Sequence, residues 1–160
     1  MKPCACFYKY GGRQYDPSFF PPWLSRLTAR VEDLVGVARG TFNSCNANWY
    51  SEASHSLNYH ADNEWLFKPA DKNVFIVSLS FGQSRLFKIR KKLGLTHITI
   101  CLNDGDVFTM GGKMQESYEH SVSRCSEHSS NSSHGPTERF NLTWRTIVNH
   151  VDKCPPKSKQ

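Results

Sequence analysis

Arg139-Phe140-Asn141-Leu142-Thr143-Trp144-Arg145-Thr146-Ile147, the stretch RFNLTWRTI, alternates with period two almost without a break. Arg139, Asn141, Thr143 and Arg145 fall on one face of an extended strand, and Phe140, Leu142 and Trp144 on the other. An apolar residue at every second position specifies a strand that packs on a core. Two readings are open for the polar face. It stands in water, as on a half-exposed antiparallel strand. Or it lines the inside of a barrel and binds an anion, where the planar fork of arginine meets a carboxylate in two parallel hydrogen bonds.

Further strand signals lie upstream. Val74 to Phe81 (VFIVSLSF) is a nearly continuous apolar run, as expected of a central strand buried on both sides. Gly82-Gln83-Ser84 turns into a strand over Arg85 to Lys92, and His97 to Leu102 and Val107 to Met110 are strands joined by Asn103-Asp104-Gly105-Asp106. Thr41 to Tyr50 reads as a strand in which Asn46, Asn48 and Tyr50 share a face. One helix is predicted. Pro21-Pro22 opens it, Trp23, Leu24, Leu27, Val31, Leu34 and Val35 recur at helical spacing, and Gly36 stops it. Arg26, Arg30, Glu32 and Asp33 are expected on its solvent side. Short strands joined by Gly, Asp and Asn turns, with one helix in front, predict a mainly β sandwich or jelly-roll barrel.

The 160 residues suit one domain, expected over residues 1–150, with a basic, proline-containing tail at 151–160 that is expected to be disordered. Serine and histidine crowd residues 121–137, read as a flexible insertion. A net charge of +6 fits a nucleic-acid partner or simply a basic protein. The cluster Lys88, Arg90, Lys91, Lys92 reads either as a ridge that contacts phosphate or as an edge strand protected by charge. Residues 1–20 are rich in aromatics broken by glycine and proline: a hairpin or loop whose rings stack on an unpaired base or pack in the core. No apolar run reaches the ~18 residues that a membrane span needs, and no charged-then-apolar segment opens the chain. An intracellular protein, nuclear or cytoplasmic, with six reduced cysteines is the expectation. Cys125, His128 and His134 fall short of a zinc site for want of a fourth ligand.

The chemistry is expected at His60-Ala61-Asp62, inside Asn48 to Glu64 (NWYSEASHSLNYHADNE). Side chains two apart on an extended segment point the same way, so imidazole and carboxylate converge. A distant histidine would complete a two-histidine, one-carboxylate triad for iron(II) with open positions. His120, in SYEHSV about sixty residues on, is the candidate. His-x-Asp, a distal histidine and Arg-x-Asn-x-Thr-x-Arg occur in that order, and the combination resembles the AlkB family of iron(II)- and 2-oxoglutarate-dependent dioxygenases. The similarity runs from about Tyr8 to Ile147 and includes Tyr8 to Gly11, Pro-Pro-Trp-Leu, Phe42-Asn43, Asn48 to Tyr50, His60 to Glu64, Ser78 to Gly82, Phe87 to Lys92 and Arg139 to Arg145.

The resemblance implies a double-stranded β-helix, the jelly roll, in which His60, Asp62 and His120 hold iron. It implies that Arg145, helped by Tyr50 and Thr143, pairs with the far carboxylate of 2-oxoglutarate, that Asn48 and Arg139 take the near one, and that Asn141 stands among them. Such an enzyme couples oxidative decarboxylation of 2-oxoglutarate by molecular oxygen to hydroxylation of an N-methyl group on DNA or RNA. A base such as 1-methyladenine or 3-methylcytosine is restored, with release of formaldehyde, succinate and carbon dioxide. Tyr8 and Tyr10 match the family's lid aromatics, Asn63 and Glu64 stand where relatives touch the base edge, and Lys88 and Arg90 would meet the strand. Asn63 departs from the frequent Asp-Asp-Glu, longer members carry a segment ahead of the lid, and the stretch between His120 and Arg139 is longer than expected. A monomer is expected. Competing readings are a dioxygenase of protein side chains or lipids, and a binding module without turnover.

Overall fold

The computed structural model describes residues 6–10, 12–71, 73–125, 137–151 and 154. Two short strands, β1 (Tyr8–Tyr10) and β2 (Arg13–Tyr15), form a hairpin ahead of helix α1 (Pro22–Val35). Then follow β3 (Ser44–Tyr50), β4 (Leu57–His60), a 3-10 turn (Trp65–Phe67), β5 (Ile76–Gly82), β6 (Arg85–Lys91), β7 (His97–Leu102) and β8 (Val107–Met110). A single helical turn, α2 (Met114–Ser117), leads into β9 (Tyr118–Val122), and β10 (Arg139–Arg145) closes the order. The strands make two antiparallel four-stranded sheets, β3-β10-β5-β8 and β4-β9-β6-β7. Apart from the consecutive pair β6–β7, neighbours in these two sheets are not consecutive in sequence, and the chain crosses from one sheet to the other, as in the jelly roll predicted.

The two faces of β10 have different partners, because its residues alternate. Leu142 and Trp144 join Val77, Leu79, Phe42, Leu24 and Val31 in the core between the first sheet and α1. The opposite face turns toward the second sheet, where Tyr50, Ile76, Phe87, Leu102 and Val122 form the other core. Arg139, Asn141, Thr143 and Arg145 are all buried there. Of the two readings left open by the sequence, the barrel interior is the one realised.

Helix α1 begins at Pro22, where a missing N–H costs nothing, and ends at Gly36 in the left-handed conformation at φ 71°. Its buried face differs from the apolar stripe in the sequence. Trp23 and Leu34 are exposed, whereas Thr28 and Glu32 are buried. Thr28 Oγ1 accepts the indole N–H of Trp144 at 2.9 Å and donates to the Leu24 carbonyl at 2.8 Å. Glu32, expected in solvent, accepts the backbone N–H groups of Gly40 and Phe42, both at 2.9 Å. The loop after the helix folds back over it, and the buried Phe42 amide needs an acceptor that water cannot supply.

Strand β6 lies between β9 and β7, so the charged cluster on it is no edge protection. Phe87 enters the core, which puts Lys88 and Arg90 out of line with it by the period of two: Arg90 is on the outer face, where its guanidinium pairs with Glu119 at 3.0 Å and covers the ring of Tyr59 at 3.8 Å. At Gly82 (φ 82°) a side chain would overlap the Glu138 carbonyl oxygen, so the turn leaving β5 requires glycine. Residues 126–136, most of the stretch read as an insertion, lie outside the described residues, and β9 carries Ser121 and Val122 into its first part. His128 and His134 of the weak zinc candidate lie outside them too. Of the 151–160 tail, Val151 and Cys154 are described, and both pack against the core.

Candidate metal centre

Strands β4 and β9 bring the triad together. Leu57 pairs with Val122 and His60 with His120, so three steps along β4 span two along β9. A bulge absorbs the extra residue and turns His60 to the same inward face as Leu57. Asp62 follows two residues beyond the strand, and its carboxylate closes the group. His60 Nε2 is 3.6 Å from Asp62 Oδ1, His120 Nε2 is 3.9 Å from Asp62 Oδ2, and the two imidazoles lie 4.2 Å apart. The three donor atoms are all within 4.8 Å of one another. His60 Nδ1 meets the Asn58 carbonyl at 2.9 Å, which places its proton there and leaves the Nε2 lone pair for a metal. Burial pushes the His120 pKa down to about 4, so its imidazole is neutral, the form that ligates.

Asp62 is itself held. Its backbone N–H donates to Gln115 Oε1 at 2.9 Å, and the Gln115 amide reaches Met110 Sδ at 3.4 Å. Gln115 is 1 % exposed. The sequence reading missed it, since one glutamine in a single helical turn carries no periodic or spacing signal.

The arginines of β10 sit at opposite ends of the interior. Arg145 Nη2 is 3.1 Å from Asp62 Oδ2 and Nη1 is 3.8 Å from Glu64 Oε2. Arg139 pairs in register with Tyr50 and lies over its ring at 6.0 Å. The sequence reading assigned Arg145, with Tyr50, to the far end of the coenzyme and Arg139 to the near end. In the structure Arg145 lies beside Asp62, and Arg139 stands opposite Tyr50 at the other end of β10. Arg139 is 2 % exposed, and its Nη2 donates to Ser80 Oγ at 2.9 Å. Its Nε and Nη1 have no hydrogen-bond partner among the described residues, and neither has Arg145 Nε. Buried guanidinium groups with idle donors call for an anion.

Between them the polar residues of the strand are largely satisfied. Asn141 Nδ2 donates to Ser78 Oγ (2.6 Å) and the Leu79 carbonyl (3.1 Å), and Thr143 Oγ1 donates to Asn141 Oδ1 (2.8 Å). Asn48, across from Asn141, is exposed and lines the main cleft. That cleft encloses about 1660 Å³. Over it stands the β1–β2 hairpin. Tyr8 Oη donates to Glu64 Oε1 at 2.8 Å, burial pushes its phenol pKa up, and the Tyr10 ring meets His60 edge-on at 6.4 Å.

Two expectations for substrate contact sit elsewhere. Asn63 is exposed and lines a separate cleft of about 100 Å³ with Lys68 and Lys92, because its neighbour Asp62 takes the inward direction. Lys88 and Arg90 share the outward side of β6, and Arg90 is already occupied by Glu119 and Tyr59. The structure thus gathers His60, Asp62, His120, Arg145, Tyr8 and Tyr10 about one cleft, with Glu64 bonded to Tyr8 behind them, and leaves Asn63, Lys88 and Arg90 outside it.

Residues 3–145 match the family model of the 2OG-Fe(II) oxygenase superfamily. The chain is 30% identical over 152 residues to the alpha-ketoglutarate-dependent dioxygenase alkB homolog 3 of Rattus norvegicus, covering 88% of this chain and 46% of that protein. It is 28% identical over 162 residues to the DNA oxidative demethylase ALKBH2 of Arabidopsis thaliana, covering 87% of this chain and 48% of that one. The chain thus spans about half the length of these relatives. The solved structure of OsALKBH1 shares the fold, with a TM-score of 0.62 at 21% identity over 83% of this chain and 66% of that one. With the His60–Asp62–His120 group inside the jelly roll and a family match over nearly the whole length, this chain belongs to the 2OG-Fe(II) oxygenase superfamily, as a homologue of AlkB.

Proposed function

We propose that the protein, as a monomer in the nucleus or cytoplasm, oxidatively demethylates N-methylated bases such as 1-methyladenine or 3-methylcytosine in DNA or RNA. One observation carries the reading: the triad and a buried, under-bonded arginine occupy the interior of a cleft roofed by two tyrosines. The name of the Arabidopsis relative, a DNA oxidative demethylase, supports demethylation of nucleic acid as the use of such a site.

His60, Asp62 and His120 would hold iron(II), which with 2-oxoglutarate and molecular oxygen supplies the oxidation that converts an N-methyl group to formaldehyde. Arg139 uses its idle Nε and Nη1 for the far carboxylate of 2-oxoglutarate, with the Tyr50 phenol and the Asn48 amide beside it. Arg145, already beside Asp62, orients the near carboxylate and offsets the negative charge gathered there. Asn141 and Thr143 act through their mutual bond and Ser78, holding the strand between the arginines straight.

A base stacked in a duplex cannot reach this interior, so it must be extruded or taken from a single strand. Tyr10 stacks on the extruded base, an interaction worth roughly 1–3 kcal/mol. Glu64, held by Tyr8, faces the same space and accepts from an exocyclic amino group. Methylation at N1 of adenine or N3 of cytosine fixes a positive charge on the ring, and the carboxylate favours that charge.

The test is turnover by purified protein with iron(II), ascorbate and 2-oxoglutarate on methylated single-stranded DNA, duplex DNA and RNA, with His60→Ala as control. Formaldehyde and an unmethylated base are expected from at least one polymer, and neither from the variant. Succinate without formaldehyde would turn the search to protein or lipid substrates, and strand binding without succinate would make the protein a reader.

A further inference from the structure

We propose that Cys6, His150 and Cys154 form a second metal site, a structural zinc(II) clip that ties the root of the lid to the segment after β10. The three line the same cleft as the iron triad but form a donor group separate from it. Cys6 is buried two positions ahead of β1, and His150 and Cys154 lie beyond the end of β10 at Arg145. Their donor atoms all lie within 4.8 Å of one another.

His150 Nδ1 is 3.7 Å from Cys6 Sγ and 3.2 Å from Cys154 Sγ. A ring nitrogen carries one proton or one lone pair, so as donor or acceptor it serves a single sulfur. A cation between the three atoms serves all of them. With zinc–sulfur near 2.3 Å and zinc–nitrogen near 2.0–2.1 Å, a tetrahedral site sets sulfur and nitrogen about 3.6 Å apart. The two observed separations bracket that value.

The surroundings suit a ligand set. The backbone N–H of Val151 donates to Cys6 Sγ at 3.4 Å, an outer bond that orients a thiolate and offsets its charge. The Cys154 amide donates to the Val151 carbonyl at 2.8 Å, a turn that returns the Cys154 sulfur to the imidazole. Three residues separate His150 from Cys154, a spacing found in structural zinc sites. Three protein donors leave one corner, for a water.

The chemistry of the donors keeps the two metals apart. Two thiolates and an imidazole favour zinc, whereas the triad offers a carboxylate and open positions suited to iron(II). The clip would fasten both partners of one contact. Tyr8 follows Cys6 by two residues, Arg145 precedes His150 by five, and Arg145 Nη1 meets Tyr8 Oη at 3.5 Å.

The experiment uses the full chain carrying His60→Ala and Asp62→Ala, so that the iron centre cannot take the probe, which is cobalt(II). One equivalent should bind with thiolate-to-cobalt charge-transfer absorption in the near ultraviolet, and one equivalent of zinc should abolish that band. Cys154→Ser should lose it. A variant that failed to fold would lose it trivially, so a second readout keeps the cysteines: zinc should slow alkylation of Cys6 and Cys154 together, read by peptide mass spectrometry. Cobalt bound without the band, alkylation indifferent to zinc, or a Cys6–Cys154 disulfide in anaerobically purified protein would each overturn the proposal.

Discussion

Replacing Gln115 by leucine removes the hydrogen-bond acceptor that holds the backbone of an iron ligand and leaves the three ligand side chains unchanged. The Gln115 side chain is wholly buried, and Asp62 N–H donates to its Oε1 at 2.9 Å. Leucine has nearly the same size, so the main loss is one acceptor. A buried N–H left without a partner costs about 1–3 kcal/mol. Two fates are possible for that cost. If Asp62 stays in place, the whole of it appears in folding stability. If Asp62 turns to find another partner, its carboxylate leaves the position facing His60 and His120, and metal affinity falls. Loss of an outer partner of this kind typically weakens metal binding ~10–100-fold, equivalent to about 1.4–2.7 kcal/mol. The ranges overlap, and no other partner holds the Asp62 amide among the described residues, so the second fate is expected. Manganese(II), a redox-silent stand-in for iron(II), would be titrated calorimetrically with 2-oxoglutarate present, beside a urea melt of the metal-free chain. Manganese affinity within about twofold of the parent, with the full loss in the melt, would refute this reasoning.

Arg139→Met should raise the KM for 2-oxoglutarate by at least ~10-fold and leave manganese affinity unchanged, since each charge-assisted hydrogen bond contributes about 1.5–3 kcal/mol; an unchanged KM would show that the idle donors face something else. Arg90→Ala should leave the salt dependence of nucleic-acid binding as it was, because a true phosphate contact would lower the slope of log affinity against log salt by about 1. Its stability cost should stay below ~1 kcal/mol, as for a partly exposed ion pair. Glu32→Ala deprives the buried Phe42 amide of its acceptor and should cost about 1–3 kcal/mol in a urea melt, without altering manganese affinity.

The elements and their order were legible because period-two and helical spacing survive in sequence wherever one face is buried. The triad was legible for a different reason. His-x-Asp is local, and a histidine inside a strand signal is a distinctive polar residue in an apolar setting. Three things were not legible. Glu32 looks like a solvent residue because helical periodicity registers side-chain polarity and is blind to a loop that folds back with unpaired amides. The pairing of Arg90 with Glu119 and Tyr59 was hidden because these come from two other strands whose register no local pattern specifies. Which of the two arginines stands beside Asp62 was not legible for a similar reason. Period two puts Arg139 and Arg145 on the same face but does not say over which end Asp62 folds, and the bulge in β4 that sets this has no sequence mark of its own.

The precision of the site comes from the side of the sheet that the reaction never touches. A strand whose inner face carries two guanidinium groups with idle N–H donors is costly to hold in place, since those donors lose their water and gain no partner until an anion arrives. β10 stays extended there because its other face is committed: Leu142 and Trp144 are buried beneath α1, and the indole N–H is tied to Thr28. β3 and β5 pair with it along both edges, so neither arginine can relax by moving the backbone. Apolar burial against the helix thus stabilises a polar surface that could not stabilise itself, and the free energy left unspent in the idle donors becomes available to bind the ligand. By this reasoning α1, which has no residue at the iron centre, is as necessary to the geometry of the site as the strand that carries the arginines.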